Sequence, residues 1–166
     1  KPKLEYEVLS AAIEHLLSSG GKRIRPALVI FASRLYSPEI GSEAVALAAA
    51  VEMLHTASLV HDDLIDGALL RRGAETINAR WSSAATVLTG DFLFARAAKL
   101  AAETDYLPLM KLFAETLAVI VNGELTQMFS ARGVIDRNNY YNRIYAKTAS
   151  LFEMSSLAAS MVARSV

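Results

Sequence analysis

The stretch SEAVALAAAVEMLHTASLVHDDLIDG, Ser42 to Gly67, decides how this chain is to be read. Ser42 is a plausible N-cap, Glu43 follows in the first turn, where the helix dipole favours an acid, and no breaker interrupts the pattern before Asp66 and Gly67. One long helix is predicted. It carries Leu54, Leu59 and Val60 and ends in His61, Asp62, Asp63, Leu64, Ile65 and Asp66, so an apolar, buried helix finishes in three carboxylates. On a helix Asp62 and Asp66 share one face a turn apart and Asp63 stands beside them, which lets their oxygens converge on one small volume. Unneutralised, they would repel each other severely. Hard oxygen ligands without thiolates suit Mg²⁺, which keeps several waters and is held by one or two carboxylates plus substrate phosphates. The triplet therefore points to a metal-bound phosphate or diphosphate, although a solvated helix end is an equally available reading of these residues alone.

Working outward, the spacing stays helical. Leu4, Val8, Ala12 and Leu16 recur every four residues and Leu9, Ile13 and Leu17 widen the stripe, giving a first helix that stops at Gly20 and Gly21. Pro26 opens a second helix that runs to about Tyr36, before Ser37 and Pro38 break it. After a polar stretch from Gly67 to Gly73, further helices are predicted over Ser83 to Glu103, Pro108 to Ala131 and Asn138 to Arg164. The β-like run Leu28 to Phe31 lacks alternation and hairpin turns, so the predicted class is all-α.

A chain of 166 residues with 53% hydrophobic composition suits one domain with a single sizeable core. Seventeen basic and seventeen acidic side chains cancel, so no global field draws it to nucleic acid or an anionic membrane. The absence of cysteine rules out disulfides and thiolate ligands and fits an intracellular protein. No uninterrupted apolar run approaches a membrane span, and Lys1, Pro2, Lys3, Leu4 and Glu5 lack the apolar core of a signal peptide. The expectation is a cytoplasmic protein without a membrane span.

Cations stand beside the acids. Arg71 and Arg72 lie in a turn bounded by Gly67 and Gly73, where guanidinium forks can bind phosphate oxygens bidentately. Gly20, Gly21, Lys22, Arg23, Ile24, Arg25 and Pro26 join flexible backbone to three cations and a helix start. This is not the spacing of a Walker loop, and taken alone it reads first as a helix C-cap followed by a basic surface turn. Lys147 and Thr148 sit among Ile144, Ala149, Leu151 and Phe152, where a lysine can simply snorkel outward. His55 lies about two turns before Asp62 and shares roughly its face, and a satisfied core histidine is its plain reading. Gly90 with Asp91, and Gly123 with Glu124 and Gln127, are polar positions inside apolar helices.

Taken together, GGKRIRP, HTASLVHDDLIDGALLRRG, the Gly90–Asp91 pair, GELTQ from Gly123 and KTASLF from Lys147 strongly resemble the trans-prenyl diphosphate synthases, over nearly the whole chain from Gly20 to Phe152. The resemblance implies an all-helical prenyltransferase bundle around a deep central cavity, a homodimer, and Mg²⁺ as cofactor. It implies that Asp62, Asp63 and Asp66 form the aspartate-rich motif, with Asp62 and Asp66 as principal metal ligands. Arg71 corresponds to the allylic-diphosphate arginine, Lys22, Arg25, His55 and Arg72 to the residues holding isopentenyl diphosphate, and Lys147 and Thr148 to residues near the allylic diphosphate and the developing cation. The implied reaction condenses isopentenyl diphosphate with an allylic prenyl diphosphate. Five and four positions before the first aspartate, Ala57 and Ser58 match the positions that line the cavity floor; both are small, which implies products longer than farnesyl.

One part of the family pattern has no match. No second aspartate-rich motif is present, and no acid follows Glu153. The expectation is a single helical domain over residues 1–166 that forms the N-terminal portion of a synthase and is catalytically incomplete by itself. A non-catalytic subunit of a heteromeric synthase is the alternative, against which the intact Asp and Arg clusters speak. A class I terpene cyclase is disfavoured because Asn122, Thr126 and Ser130 lack the terminal acid of that class's second ligand set. Nucleic-acid binding through Lys22 to Arg25 is disfavoured by zero net charge and the lack of interleaved aromatics. On the floor reading, Ala57→Phe shortens the product, measured by chromatography of the prenyl chains, and an unchanged length counts against it.

Overall fold

Helix formers and a 3.6-residue apolar period dominate the chain, and the expected all-α class holds. The structure, a computed structural model, describes residues 7–129 and 136–165. The predicted start of the first helix at Leu4, the end at Ala131 and the Ser130 of the cyclase comparison lie outside these residues. The helices are α1 (Glu7–Ser18), α2 (Ile24–Arg34), α3 (Ser42–Ile65), α4 (Ile77–Arg80), α5 (Ser83–Ala102), α6 (Leu107–Phe129), α7 (Arg137–Ile144) and α8 (Ser150–Ser165). Helix α2 begins ahead of Pro26, which falls in its first turn, where a missing N–H costs no intrahelical bond.

Two departures matter for the chemistry. The polar stretch after α3 contains a small hairpin, β1 (Leu70–Arg71) and β2 (Ala74–Glu75), with Leu70 opposite Glu75 and Arg71 opposite Ala74. Its two loop residues, Arg72 and Gly73, both have positive φ, 54° and 83°, the signature of a type I′ turn whose twist matches paired strands. Strands this short leave no alternation to detect. The predicted helix from Asn138 to Arg164 is interrupted by a π-helical turn, Tyr145–Ala149, between α7 and α8.

The chain divides into two compact units. The first contains residues 1–23 and 52–97, and the second residues 24–51 and 98–166, so α3 and α5 each contribute to both. In the first unit Ala12, Ala57, Val60, Ile77 and Leu93 form a buried cluster, with Leu16, Met53, Trp81 and Phe94 packed against it. In the second, α8 packs on α2 and α6, and Leu109, Phe113, Leu151 and Met154 are buried. Each fully buried side chain of this size stabilises the fold by roughly 1.5–3 kcal/mol.

Helix α3 is 24 residues long with a window of mean hydropathy 1.4, enough by length and composition to cross a bilayer, although polar residues interrupt its apolar run. Its Leu47, Val51, Leu54, Ala57 and Val60 are buried against the rest of the protein, the behaviour of a core helix.

The end of α3 is built by a Schellman turn. The Ala68 N–H donates to the Asp63 carbonyl at 2.8 Å and the Gly67 N–H to the Leu64 carbonyl at 3.2 Å, with Gly67 at φ 64°. Thr76 then ties the excursion shut: its buried hydroxyl donates to the Ala68 carbonyl at 2.7 Å and accepts the Ala79 N–H at 3.2 Å as the N-cap of α4. Thr76→Val keeps the shape and removes both bonds, so it is expected to cost about 1–2 kcal/mol of unfolding free energy, read as a lower urea midpoint at unchanged slope.

Candidate active site

The buried positions Leu54, Ala57 and Val60 of α3 recur every third residue, and Asp63 is the next in that series. A carboxylate in a core position, at the negative end of a helix dipole, is expensive unless a cation neutralises it. Arg71 does so. Its Nε donates to both Asp63 oxygens at 2.8 and 2.9 Å, and Nη2 lies 2.7 Å from Oδ1. The hydrogen bond to Asp63 holds the Arg71 guanidinium above its ordinary pKa; burial opposes this, and the charges of Asp63, Asp62 and Asp66 add to it. All three acids therefore act electrostatically on one arginine. Asp62 is half-buried and Asp66 exposed, while Asp63 is 6% exposed.

The hairpin that delivers Arg71 also delivers Arg72. Its left-handed backbone turns the side chain toward the glycine loop, where Nη1 donates to the Gly20 carbonyl at 3.4 Å. The result is a cleft within the first unit whose lining includes Gly20, Arg23, Glu52, His55, Arg71 and Arg72. Its volume is about 70 Å³, room for roughly five waters.

The cleft brings together His55, Asp63, Arg71 and Arg72 of the predicted residues. Lys22 stands on the same loop, exposed and outside the lining. Arg25 belongs to the second unit, where its guanidinium lies 4.5 Å from the centroid of the Phe152 ring. Arg23 and Glu52 form an ion pair inside the cleft that the sequence reading did not single out. The left-handed backbone at Arg23, φ 49°, is invisible in residue type, and Glu52 sits one helical turn before Thr56, a spacing common on any helix.

Gly90 and Asp91 have a role in the first unit. The His61 imidazole packs where a side chain at Gly90 would stand, with Nε2 3.2 Å from the Val87 carbonyl oxygen and 3.4 Å from Asp91 Oδ1. Of the two positions expected to line a cavity floor, Ala57 has no exposed surface and belongs to the buried cluster, whereas Ser58 is half-buried and donates its hydroxyl to the His55 carbonyl at 2.8 Å.

Lys147 and Thr148 lie in the π turn of the second unit. The Lys147 ammonium is 2.8 Å from Glu124 Oε1. The Tyr145 hydroxyl donates to Glu153 Oε2 at 2.7 Å, which raises its pKa above the ordinary tyrosine value.

Among the described residues no group of three or more His, Asp or Glu side chains closes around a metal ion. Asp62 and Asp66, one helical turn apart, are hard carboxylates of the kind that suit Mg²⁺, which one or two such groups can hold.

An acid-tipped helix with Arg71 held against its end stands on a predominantly helical scaffold. The chain belongs to the polyprenyl synthetase family, whose family model matches residues 6–166. It is 41% identical over 150 residues to octaprenyl diphosphate synthase of Haemophilus influenzae, covering 90% of this chain and 45% of that protein. It is likewise 41% identical over 152 residues to heptaprenyl diphosphate synthase component 2 of Geobacillus stearothermophilus, covering 91% and 47%. Among solved structures, heptaprenyl diphosphate synthase from Staphylococcus aureus superposes with a TM-score of 0.93 at 36% identity, covering 97% of this chain and 51% of that one. The polyprenyl synthase of Caulobacter crescentus CB15, complexed with calcium and isoprenyl diphosphate, gives 0.92 at 39% identity, covering 98% and 49%. The chain spans about half the length of the curated relatives it matches.

Asp63→Asn leaves Arg71 facing a neutral amide in a largely buried pair. The expected loss is about 2 kcal/mol, below the fully buried range because Arg71 is partly exposed, read as a lower chemical-denaturation midpoint. For Tyr145 the raised pKa means that the neutral, donating form is favoured, so its contribution is complete below the unfolded tyrosine value and lost as pH rises through the folded one. In a tyrosinate absorbance titration, Tyr145→Phe is expected to remove a component at the alkaline end of the curve.

Proposed function

We propose that the whole protein is a Mg²⁺-dependent trans-prenyltransferase that condenses isopentenyl diphosphate with an allylic prenyl diphosphate to make products longer than fifteen carbons. The observation that carries this reading is the electrostatic convergence of Asp62, Asp63 and Asp66 on Arg71, beside a cleft lined by His55 and Arg72. Asp62 and Asp66 would hold the metal, which when bound supplies charge neutralisation for the departing pyrophosphate. Arg71, fixed by Asp63, adds a permanent cation on the same side. Arg72 and His55 would hold the diphosphate of isopentenyl diphosphate, with Lys22 and Arg25 as the further cations that the family resemblance assigns to that substrate. Lys147 and Thr148 would face the allylic diphosphate.

In the reaction the allylic C–O bond breaks, pyrophosphate leaves with the electron pair, and the double bond of isopentenyl diphosphate attacks the allylic carbon. A proton is then lost, with pyrophosphate as its acceptor. Water must be excluded, because a carbocation open to solvent becomes an alcohol.

Support for long products comes from those relatives that are named octaprenyl, solanesyl, heptaprenyl and decaprenyl diphosphate synthases, beside which solved structures of geranylgeranyl pyrophosphate synthases and a geranyltranstransferase also match. The packing refines the floor expectation. Ala57→Phe would insert a ring into the buried cluster of Ala12, Ile77 and Leu93, so its first effect is expected on stability, typically 1–3 kcal/mol. Ser58→Phe is the cleaner test, with shorter product chains as the expected result. We further propose a cytoplasmic homodimer. A non-catalytic subunit has less support, since a core carboxylate flanked by two more acids destabilises a chain that has no ligand to hold.

The test is an assay of the whole protein with Mg²⁺, isopentenyl diphosphate and allylic diphosphates, followed by product chromatography. Asp62→Ala is expected to lower kcat on the order of a hundredfold, and Arg72→Ala to raise KM for isopentenyl diphosphate about tenfold or more at similar kcat. Failure of the wild-type protein to form any elongated diphosphate would sink the proposal.

A further inference from the structure

We infer that Glu124 and Gly123 are positioning residues for Lys147, acting through the π turn rather than on the substrate. The inference rests on the reading of Lys147 given under the proposed function. Its support lies within the second unit.

A π turn inserts one residue into a helix and rotates everything beyond it by about 100° relative to a continuous α-helix. Such a turn persists where its surroundings hold it, and three contacts hold this one. First, α6 approaches it so closely at Gly123 that any side chain there would overlap the Ala146 methyl, and Ala146 is itself buried. Second, the next residue, Glu124, is largely buried, with a side chain 18% exposed, and receives the Lys147 ammonium at 2.8 Å. Third, Tyr145 and Glu153 are joined across the turn at 2.7 Å, one residue lying inside it and the other beyond it.

The arrangement restrains an otherwise flexible lysine at its head. Gly123 sets the distance between α6 and the π turn, and Glu124 sets the direction of the Nζ atom. A side chain at Gly123 would push the turn away and carry the ammonium off its carboxylate. Removing the charge of Glu124 would leave the turn in place but release the lysine to sample many rotamers. In both cases the cation that meets the departing pyrophosphate is displaced, with no change at the isopentenyl diphosphate cleft of the first unit.

The experiment is steady-state kinetics of the whole protein, varying each diphosphate separately, for wild type, Glu124→Gln, Glu124→Asp, Gly123→Ala and Lys147→Met. Glu124→Gln is expected to lower kcat about tenfold and raise KM for the allylic diphosphate, leaving KM for isopentenyl diphosphate unchanged. Glu124→Asp should recover most of the loss, and Gly123→Ala should reproduce it. Should Gly123→Ala prove unfolded by circular dichroism, the Glu124 pair of variants decides. Wild-type constants for Glu124→Gln, equal effects on both KM values, or no recovery in Glu124→Asp overturn the inference while Lys147→Met remains impaired. An unimpaired Lys147→Met removes the role of Lys147 itself and the inference with it.

Discussion

A single ion pair organises the first unit. The helical period of α3 carries Asp63 into the core, and a buried carboxylate at the negative end of a helix is tolerated only with a cation against it. The cation is Arg71, eight residues onward, with both oxygens of Asp63 engaged by the guanidinium. Bringing it back requires the chain to reverse within that distance. The Schellman turn at Gly67, the I′ turn at Arg72 and Gly73, and the Thr76 hydroxyl are the parts that achieve the reversal. The hairpin, slight as it is, exists to complete this pair.

From that constraint follows a sorting of charges. Asp63 becomes internal structure, while its neighbours Asp62 and Asp66 stay at the edge of the core with their charges directed at the same arginine. Arg72, carried past Arg71 by the turn, reaches the Gly20 carbonyl at 3.4 Å, a contact at the long end of the hydrogen-bond range. Arg23 is matched with Glu52. Cleft and acidic turn thus share one scaffold, anchored by the Asp63–Arg71 pair.

The second unit solves a related problem by different means. A lysine on the surface of a helix is mobile, and a chemical role needs it held. There the device is a widened helical turn, a glycine that admits it and a carboxylate that receives the ammonium. In both units the departures from regular geometry, left-handed Arg72 and the π turn, fall at residues to which the proposed function gives a role, where the surroundings hold them in place.

Most helix positions, the all-α class and the closeness of acids to arginines in sequence were legible in the chain itself, whereas α4, the hairpin and the π turn were not. Apolar period, caps and breakers act over a few residues, and the pairing of acids with arginines at short separation is a local pattern. The nearness of Asp62 and Asp66 follows from helical spacing alone. What only the tertiary structure decided is which acid becomes internal, that Arg71 and Arg72 part company across a two-residue turn, that Ala57 belongs to the core while Ser58 lies at its edge, and that Lys147 sits in a π turn against Glu124. Each depends on which face of a helix meets which neighbour and on backbone angles that residue type leaves open. Those are set by packing between segments distant in the chain, which no local period encodes.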